Sequence, residues 1–430
     1  MRQKLARLLR ERIVQNVIAL YGITIANALI PLILIPLLAR SLQPEAWGLV
    51  IFAQTTSIWL GLLVEYGFVF SATREVARHA DQPDRLREIV AEVMGGKLML
   101  CAVAVVSAFV LWMLVPGFHA HPVFLIGALW MGLAQGLSPM WYFQGVERMS
   151  LPALLSVGCR LLFTGLVFVL VRNPEDAPLV VILQAATMTL SLTVQFVLMY
   201  RQTGWGWCSS QRAWLSLKDA WPFFLFVAVV SFYSNANGFM LGLMAAPAMV
   251  SFYGGPERLM RGILGLAGPV NQVLYPRLAF LVRHDYPAAR STVRRGTLLV
   301  ASIGTLFGLS LTLAAPWFVH LLFGTGYEGA IPVLRVLGLA CPFSAVSSVL
   351  GIRWMFPLGM ERAYNCIVLV GAILNVGMVL MMVGSWQAMG AAYAVLTAEI
   401  FITATLFVLL WKRRLNPFQS ASAVGLEVEP

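Results

Sequence analysis

The chain has 430 residues, of which 59% are hydrophobic and 11% charged, and its mean hydropathy is +0.80. A soluble domain carries about 25% charged residues, so this composition excludes a water-soluble globular protein and indicates a polytopic membrane protein. The net charge of +11 is typical of basic cytoplasmic loops in such a protein rather than of nucleic-acid binding. The five cysteines have no metal-binding or redox spacing.

Apolar stretches long enough to cross the bilayer, about 20 residues each, recur along the whole chain. They predict an all-α polytopic membrane protein with about twelve transmembrane helices. The eighth stretch is long and contains Gly254-Gly255-Pro256 and Gly268-Pro269, so we expect a bend or a break at these positions. The candidate spans lie at 14–39, 47–71, 94–115, 122–145, 152–171, 179–200, 221–243, 248–281, 296–315, 330–352, 363–383 and 388–411.

The distribution of basic residues predicts the orientation. If the N-terminus is cytoplasmic, most of the 30 lysines and arginines fall in cytoplasmic segments, and only Arg40 and Arg172 fall in outside loops. Because cytoplasmic loops carry the excess of positive charge, we expect both termini to be cytoplasmic. Lys97 and Arg160 fall within spans near the predicted cytoplasmic ends, and we expect both to extend towards the inner headgroups, the alternative being that either residue faces the cavity.

An internal repeat predicts two lobes. The tetrapeptide GVER at 145–148 recurs as GMER at 359–362, an offset close to half the chain. Six spans per half give both halves the same orientation, a parallel repeat with pseudo-symmetric six-helix lobes around a central cavity. We predict an N-terminal lobe at 1–205, a cytoplasmic linker at 206–220, a C-terminal lobe at 221–411 and a cytoplasmic tail at 412–430, disordered after Leu415.

Two arginines within the eighth span stand out. Arg258 and Arg261 are three residues apart, which places both on one helix face. An arginine at mid-bilayer costs roughly 2.5–3.5 kcal/mol, so both must face protein or a wet cavity. A guanidinium forms paired bonds to phosphate oxygens. The alternative is pairing with Glu257, with another buried carboxylate or with helix-end carbonyls.

Several stretches occur in an order and spacing that identify a family. They read VEYGFVFSATREVAR at 64–78, PMWYFQGVERM at 139–149 and SFYGGPERLMRGILGLAGPVNQVLYPRL at 251–278. This pattern resembles the polysaccharide-export flippases of the O-antigen (Wzx) type, whose superfamily also contains the multidrug and lipid II exporters. The sequence departs from the pattern at Gly254-Gly255-Pro256-Glu257, where similar proteins have helix-forming residues, so the start of the helix and the aim of Arg258 stay open.

The resemblance implies a two-lobed bundle of twelve helices around a cationic cavity. It also implies transport of an undecaprenyl-pyrophosphate-linked oligosaccharide from the inner to the outer leaflet of the bacterial plasma membrane by alternating access. The implied partners are this lipid-linked oligosaccharide, membrane lipids, a polysaccharide polymerase and a chain-length regulator. Neither the resemblance nor the sequence indicates a cofactor, a metal site, a nucleic-acid partner or an enzyme.

Other polar residues in or beside spans are candidates for the same site. Arg74 is placed to meet the lipid pyrophosphate at the inner side, or it simply follows the orientation rule. Asn235 and Asn237 are candidates for bonds to sugars, the alternative being bonds between helices. Glu65 and Glu399 are candidates for proton or cation coupling, the alternative being ion pairs with arginines.

Two other functions remain open on the sequence. A multidrug or cation antiporter of the same superfamily would favour acidic cavities, whereas basic residues prevail within these spans. A membrane polysaccharide polymerase or ligase needs an outside catalytic loop, and the predicted outside loops are short. The sequence contains no G-x-S-x-G, H-E-x-x-H or Walker motif.

Overall fold

The computed structural model describes the backbone of residues 2–265 and 268–419, and the side chains of residue 30 and of 32–232, 234–265 and 275–419. Within these residues the regular structure is entirely helical, which confirms the all-α class. Residues 420–430 of the predicted tail lie outside the described part. Two compact units divide the chain, Met1–Gly254 and Gly255–Pro430.

Several helices of the first unit begin at a proline or end at a glycine. The unit contains α1 (Arg2–Glu65), α2 (Phe68–Arg78), α3 (Pro83–Leu114), α4 (Pro116–Ala120), α5 (Pro122–Gly136), α6 (Met140–Gly145), α7 (Ser150–Leu170), α8 (Ala177–Thr203) and α9 (Ser210–Met244), and α10 (Pro247–Gly265) begins in this unit and ends in the second. A 3₁₀ turn, Pro174–Asp176, precedes α8.

The second unit is built from the end of α10 and five further helices. They are α11 (Gly268–His284), α12 (Tyr286–Leu313), α13 (Ala315–Leu322), α14 (Ala330–Ser348) and α15 (Glu361–Lys412). A π-helix, Val349–Met355, follows α14 directly. Helix α12 packs along α14, and α14 packs along α15.

Hydropathy and helix length agree with a multi-pass membrane protein. Nine helical stretches among the residues with described side chains are long and apolar enough to cross a membrane. Most residues of every predicted span are helical, and α10 is not broken at Gly254-Gly255-Pro256. The bend or break expected at Gly268-Pro269 stays a prediction, because residues 266–267 lie outside the described part of the chain. The helices therefore confirm the predicted polytopic architecture, whereas the lobe boundaries at 205, 206–220 and 411 stay predictions.

Two long helices each change direction at a glutamine. Helix α1 has 64 residues and is interrupted at Gln43 (φ 62°), and α15 has 52 residues and is interrupted at Gln387 (φ 47°). Both glutamines fall between predicted spans, 14–39 and 47–71 in α1, and 363–383 and 388–411 in α15. Each long helix therefore covers two spans joined by a single non-helical residue.

Close backbone approach is built into the first unit at Gly48. A Cβ atom on Gly48 would lie 1.8 Å from the carbonyl oxygen of Pro247, the first residue of α10. No side chain fits in that space, because the obstacle is backbone. Gly48 therefore lets α1 and the start of α10 pack in direct contact.

The chain end is ordered further than predicted. Trp354 Nε1 donates to the carbonyl oxygen of Leu415 at 2.8 Å, and Arg290 Nη2 donates to that of Asn416 at 2.9 Å. Asn416 is fully buried. The expected disorder after Leu415 is therefore wrong for residues 415–419, because the π-helix and α12 supply donors for their backbone.

Candidate functional site

Helix α10 carries the two arginines singled out in the sequence. It begins at Pro247 and runs through Pro256 to Gly265. Proline at the first position costs nothing, because that N–H has no helical partner. Pro256 lacks the N–H that would bond to the carbonyl of Phe252, but it does not begin the helix. The start of the helix, which the sequence left open, thus lies at Pro247, and Glu257, Arg258 and Arg261 lie inside α10.

Arg261 forms an ion pair with Glu257. Arg261 Nη2 lies 2.8 Å from Glu257 Oε1, one helical turn away. The Arg261 side chain is 44% exposed and that of Glu257 14% exposed, so the pair is open on one side. A phosphate that offered paired bonds to the exposed side of the Arg261 guanidinium would compete with Glu257 for it.

Arg258 adds a second cation to the same turn of α10. Its side chain is half-buried, and the charges of Glu257 and Arg261 both act on it. Two guanidinium groups and one carboxylate leave one net positive charge on this turn. A net charge on a membrane helix is costly unless an anion or water meets it. The turn Glu257–Arg261 is therefore suited to binding an anion.

The two asparagines of α9 have different surroundings. Asn237 is buried, and its Nδ2 donates to the hydroxyl of Tyr253 on α10 at 3.1 Å. This bond is the interhelical role that the sequence left open. Asn235, two residues earlier, is half-buried. A contact between either amide and a sugar stays a prediction.

Arg74 lies near the end of α2 with an exposed side chain. Its guanidinium carbon lies 5.4 Å from the centre of the Phe223 ring on α9. Such a cation–π contact is worth about 0.5–1 kcal/mol at an exposed site. The contact orients Arg74 without neutralising it, so its charge remains available to an anionic headgroup.

Glu65 caps the start of α2. Its Oε2 accepts the backbone N–H of Gly67 at 3.0 Å, and its Oε1 accepts that of Val69 at 2.7 Å. The chain turns sharply here, with positive φ at Tyr66 (51°) and Gly67 (77°). Both carboxylate oxygens thus have backbone donors at a helix N-terminus. Coupling at Glu65 stays a prediction, and its structural role is shown.

Lys97 is a buried cation, and its surroundings differ from those that the sequence predicts. It is 0% exposed, and its Nζ donates to the carbonyl oxygens of Gly136 at 2.6 Å and Ser138 at 3.1 Å. The ring of Phe68 lies 6.0 Å away. Lys97 therefore does not extend to the headgroups as expected. It caps the C-terminal end of α5, because two carbonyls there lie within its reach.

Glu399 lies on the second half of α15. Its side chain is half-buried, and its charge acts on Cys341 of α14 and on Tyr364, near the start of α15. These residues place Glu399 inside the second unit among α14 and α15. Its role in coupling stays a prediction.

The structure thus divides the predicted site residues between the two units. Arg74, Glu65, Asn235 and Asn237 belong to the first unit, whereas Arg258, Arg261 and Glu399 belong to the second. The structure places Glu257 beside the two arginines on α10. Among the side chains that the structure describes, no group of three histidines, cysteines or carboxylates is placed to hold a metal.

Helices that span a membrane, with ionisable side chains held inside them, define a multi-pass membrane protein. Solved structures show the same fold. The lipid II flippase MurJ in an inward closed conformation has a TM-score of 0.70 at 12% identity, over 93% of this chain and 87% of that one. The eukaryotic MATE transporter AtDTX14 has a TM-score of 0.55 at 14% identity, over 95% of this chain and 98% of that one.

The chain belongs to the polysaccharide biosynthesis protein family, whose model matches residues 13–282. A putative O-antigen transporter from Escherichia coli (strain K12) is 25% identical over 93% of this chain and 97% of its own length. Another from Shigella dysenteriae is 27% identical over 90% of this chain and 97% of its own length. The predicted resemblance to proteins of polysaccharide export is thereby confirmed, and the likeness to the lipid II flippase and to the MATE transporter is one of fold.

Proposed function

We propose that this protein is a flippase for a lipid-linked oligosaccharide that is built into a surface polysaccharide. The observation that carries the proposal is the match to two putative O-antigen transporters over at least nine-tenths of the chain. The fold likeness to the lipid II flippase is compatible with this activity.

The substrate class follows from the charge on α10. The proposed substrate is an undecaprenyl-pyrophosphate-linked repeat unit of O-antigen or a related polysaccharide. Its pyrophosphate must cross about 30 Å of hydrocarbon. The net positive turn with Arg258 and Arg261 replaces part of the water around the phosphates, while the polyprenyl tail stays in lipid. Asn235 and Asn237 on α9 are the proposed contacts for sugar hydroxyls.

The proposed route begins at the cytoplasmic face of the bacterial inner membrane. Arg74 meets the headgroup there, and the unit is released to the outer leaflet. Both termini are cytoplasmic in this proposal, as the basic loops predict. The predicted lobes, 1–205 and 221–411, alternate access by rocking, and Glu65 or Glu399 couples the movement to an ion gradient. A polymerase and a chain-length regulator would act on the product.

Deletion of the gene in its native host tests the proposal. We expect surface polysaccharide to disappear and lipid-linked repeat units to accumulate where a membrane-impermeant glycan reagent cannot reach them in intact spheroplasts. Accumulated units that the reagent reaches would indicate a lost polymerase instead. Surface polysaccharide at the parental level would contradict the proposal.

Arginine variants test the role of α10 in the same strain. Arg258→Ala and Arg261→Ala should each lower surface polysaccharide roughly tenfold or more, since a bond to a charged group contributes about 1.5–3 kcal/mol. Arg172→Ala, in an outside loop, is the matched control and should leave export unchanged. Full export by the double variant, at normal protein level, would remove the pair from the mechanism.

A further inference from the structure

Helix α7 carries a cation at its middle. It has 21 residues, Ser150–Leu170, so it is about 31 Å long and matches the hydrocarbon thickness. Arg148 precedes it and Arg172 follows it, which places its ends near the two membrane surfaces. Arg160 is the middle residue, about 15 Å from either end. Contact between Arg160 and the inner headgroups stays a prediction, and the position of Arg160 at mid-helix favours the alternative, a place beside a cavity.

Arg160 lies on the face of α7 that packs against protein. Ala153 and Val167, seven residues away on either side along this face, are 9% and 0% exposed. Leu154, Leu161 and Phe168 form an exposed apolar stripe about 100° round the helix, which is suited to lipid. Yet Arg160 itself is exposed. The packing of α7 against its neighbours therefore leaves an opening beside the Arg160 guanidinium, halfway along the helix.

The opening is lined by further polar groups of α7. Ser156 and Thr164 lie one turn before and one turn after Arg160 on the same face. Their hydroxyls donate to the helix carbonyls of Pro152 and Arg160, each at 2.9 Å. With their protons engaged, these oxygens are acceptors for hydroxyl groups of a ligand.

Helix α8 carries polar groups that lie beside α7. Cys159 of α7 is hydrogen-bonded to Ser191 of α8, and Gln195 Nε2 donates to Ser191 Oγ at 2.9 Å. The buried Gln195 Oε1 has no protein hydrogen-bond partner, and an unsatisfied buried amide oxygen costs about 1–3 kcal/mol.

We propose that Ser156, Arg160 and Thr164 form a subsite in the first unit for an anionic group of the transported glycolipid. Arg160 donates paired bonds to a phosphate or to the carboxylate of an acidic sugar, and the two hydroxyl oxygens accept from adjacent sugar hydroxyls. The subsite is separate from the arginines of α10, which belong to the second unit. The identity of the ligand rests on the proposed function. The position of the subsite in the membrane is independent of it.

Cysteine labelling in proteoliposomes tests the position. Thr164→Cys keeps Arg160 in place, and Leu161→Cys on the apolar stripe is the matched control, both in protein whose five native cysteines are replaced by alanine. We expect membrane-impermeant thiol reagents to label Thr164→Cys at least tenfold faster than Leu161→Cys. A negatively charged reagent should outpace a positively charged one, and added Arg160→Gln should reverse that order. Equal labelling of the two positions would overturn the proposal.

Ligand protection tests the anion site. One arm adds farnesyl pyrophosphate and the other an oligosaccharide that contains a uronic acid. Slower labelling of Thr164→Cys in the first arm assigns the subsite to the pyrophosphate, and slower labelling in the second assigns it to the glycan. No protection in either arm overturns it. Binding of radiolabelled farnesyl pyrophosphate and of the labelled oligosaccharide to Arg160→Gln protein with native cysteines gives a second measurement, if the cysteine-free protein does not fold.

The two proposals fail separately. If the gene deletion leaves surface polysaccharide intact while labelling and protection occur as expected, the flippase proposal falls and the anion subsite stands. If the deletion abolishes surface polysaccharide but Thr164→Cys is neither labelled nor protected, the subsite alone falls. Surface polysaccharide should fall at least fivefold in Arg160→Gln and stay unchanged in Leu161→Ala.

Discussion

Glu257 and Arg261 face each other across one turn of α10, with 2.8 Å between Oε1 and Nη2. The carboxylate holds the guanidinium but would also repel a phosphate that approaches it. Glu257→Gln and Arg261→Ala should therefore have opposite effects on polyprenyl pyrophosphate binding. We expect several-fold tighter binding for the first and roughly tenfold weaker binding for the second, measured by titration of purified protein in nanodiscs.

The comparison separates an anion site from a structural ion pair. If the pair only stabilises the helix, both variants lose the same contact and should weaken binding alike. Equal losses in Glu257→Gln and Arg261→Ala would therefore contradict the anion site.

Lys97 should matter for stability more than for transport. Lys97→Met removes the donor for the carbonyl oxygens of Gly136 and Ser138 and leaves them unsatisfied in an apolar core, at a cost of about 2–4 kcal/mol. We expect the midpoint of thermal unfolding in detergent to fall by several degrees. Lys218→Met, at an exposed position of α9, is the control. An unchanged or higher midpoint would show that the buried charge itself costs as much as its bonds contribute.

A substitution of Glu65 separates its capping role from the proposed role in ion coupling. Glu65→Gln keeps the size of the side chain and one carbonyl acceptor for the start of α2, and the lost cap bond costs about 0.5–2 kcal/mol. If Glu65 only caps α2, export should follow the modest loss in thermal stability and keep its dependence on the proton gradient. Export that no longer responds to the gradient, at near-normal stability, would indicate coupling instead.

Two glycines form a matched pair for packing. Gly48→Ala places a Cβ 1.8 Å from the backbone oxygen of Pro247, so we expect poor folding and little protein in the membrane. Gly158→Ala on α7 meets nothing within 4 Å and should accumulate normally. Quantitative immunoblots of membranes measure both. Normal accumulation of Gly48→Ala would mean that α1 and α10 separate without cost.

Much of the fold could be predicted from hydropathy alone, because a membrane span needs only length and apolar character. The spans on either side of Gln43 and Gln387 were predicted as separate helices. Pro44 follows Gln43 directly and signals the first interruption, whereas no proline lies beside Gln387. A bend or a break at Gly268-Pro269 of the eighth span stays a prediction, since both residues disfavour helix interiors.

The roles of single charged residues could not be predicted in the same way. Composition shows that Lys97 lies in a span but not that two carbonyls of α5 are within its reach. The depth of Arg160 could not be predicted either, because the ends of an apolar stretch are uncertain by several residues. Tyr66-Gly67 contains a turn signal in its glycine, and the capping role of Glu65 could have been inferred from it.

Transport by purified protein tests the central claim most directly. Proteoliposomes that contain lipid-linked oligosaccharide from the host would be treated with a membrane-impermeant glycosidase. We predict that wild-type protein exposes the inner-leaflet pool to the enzyme within minutes, and that Arg258→Ala protein leaves most of that pool protected. An inner pool that stays as protected with wild-type protein as in protein-free vesicles would contradict the flippase.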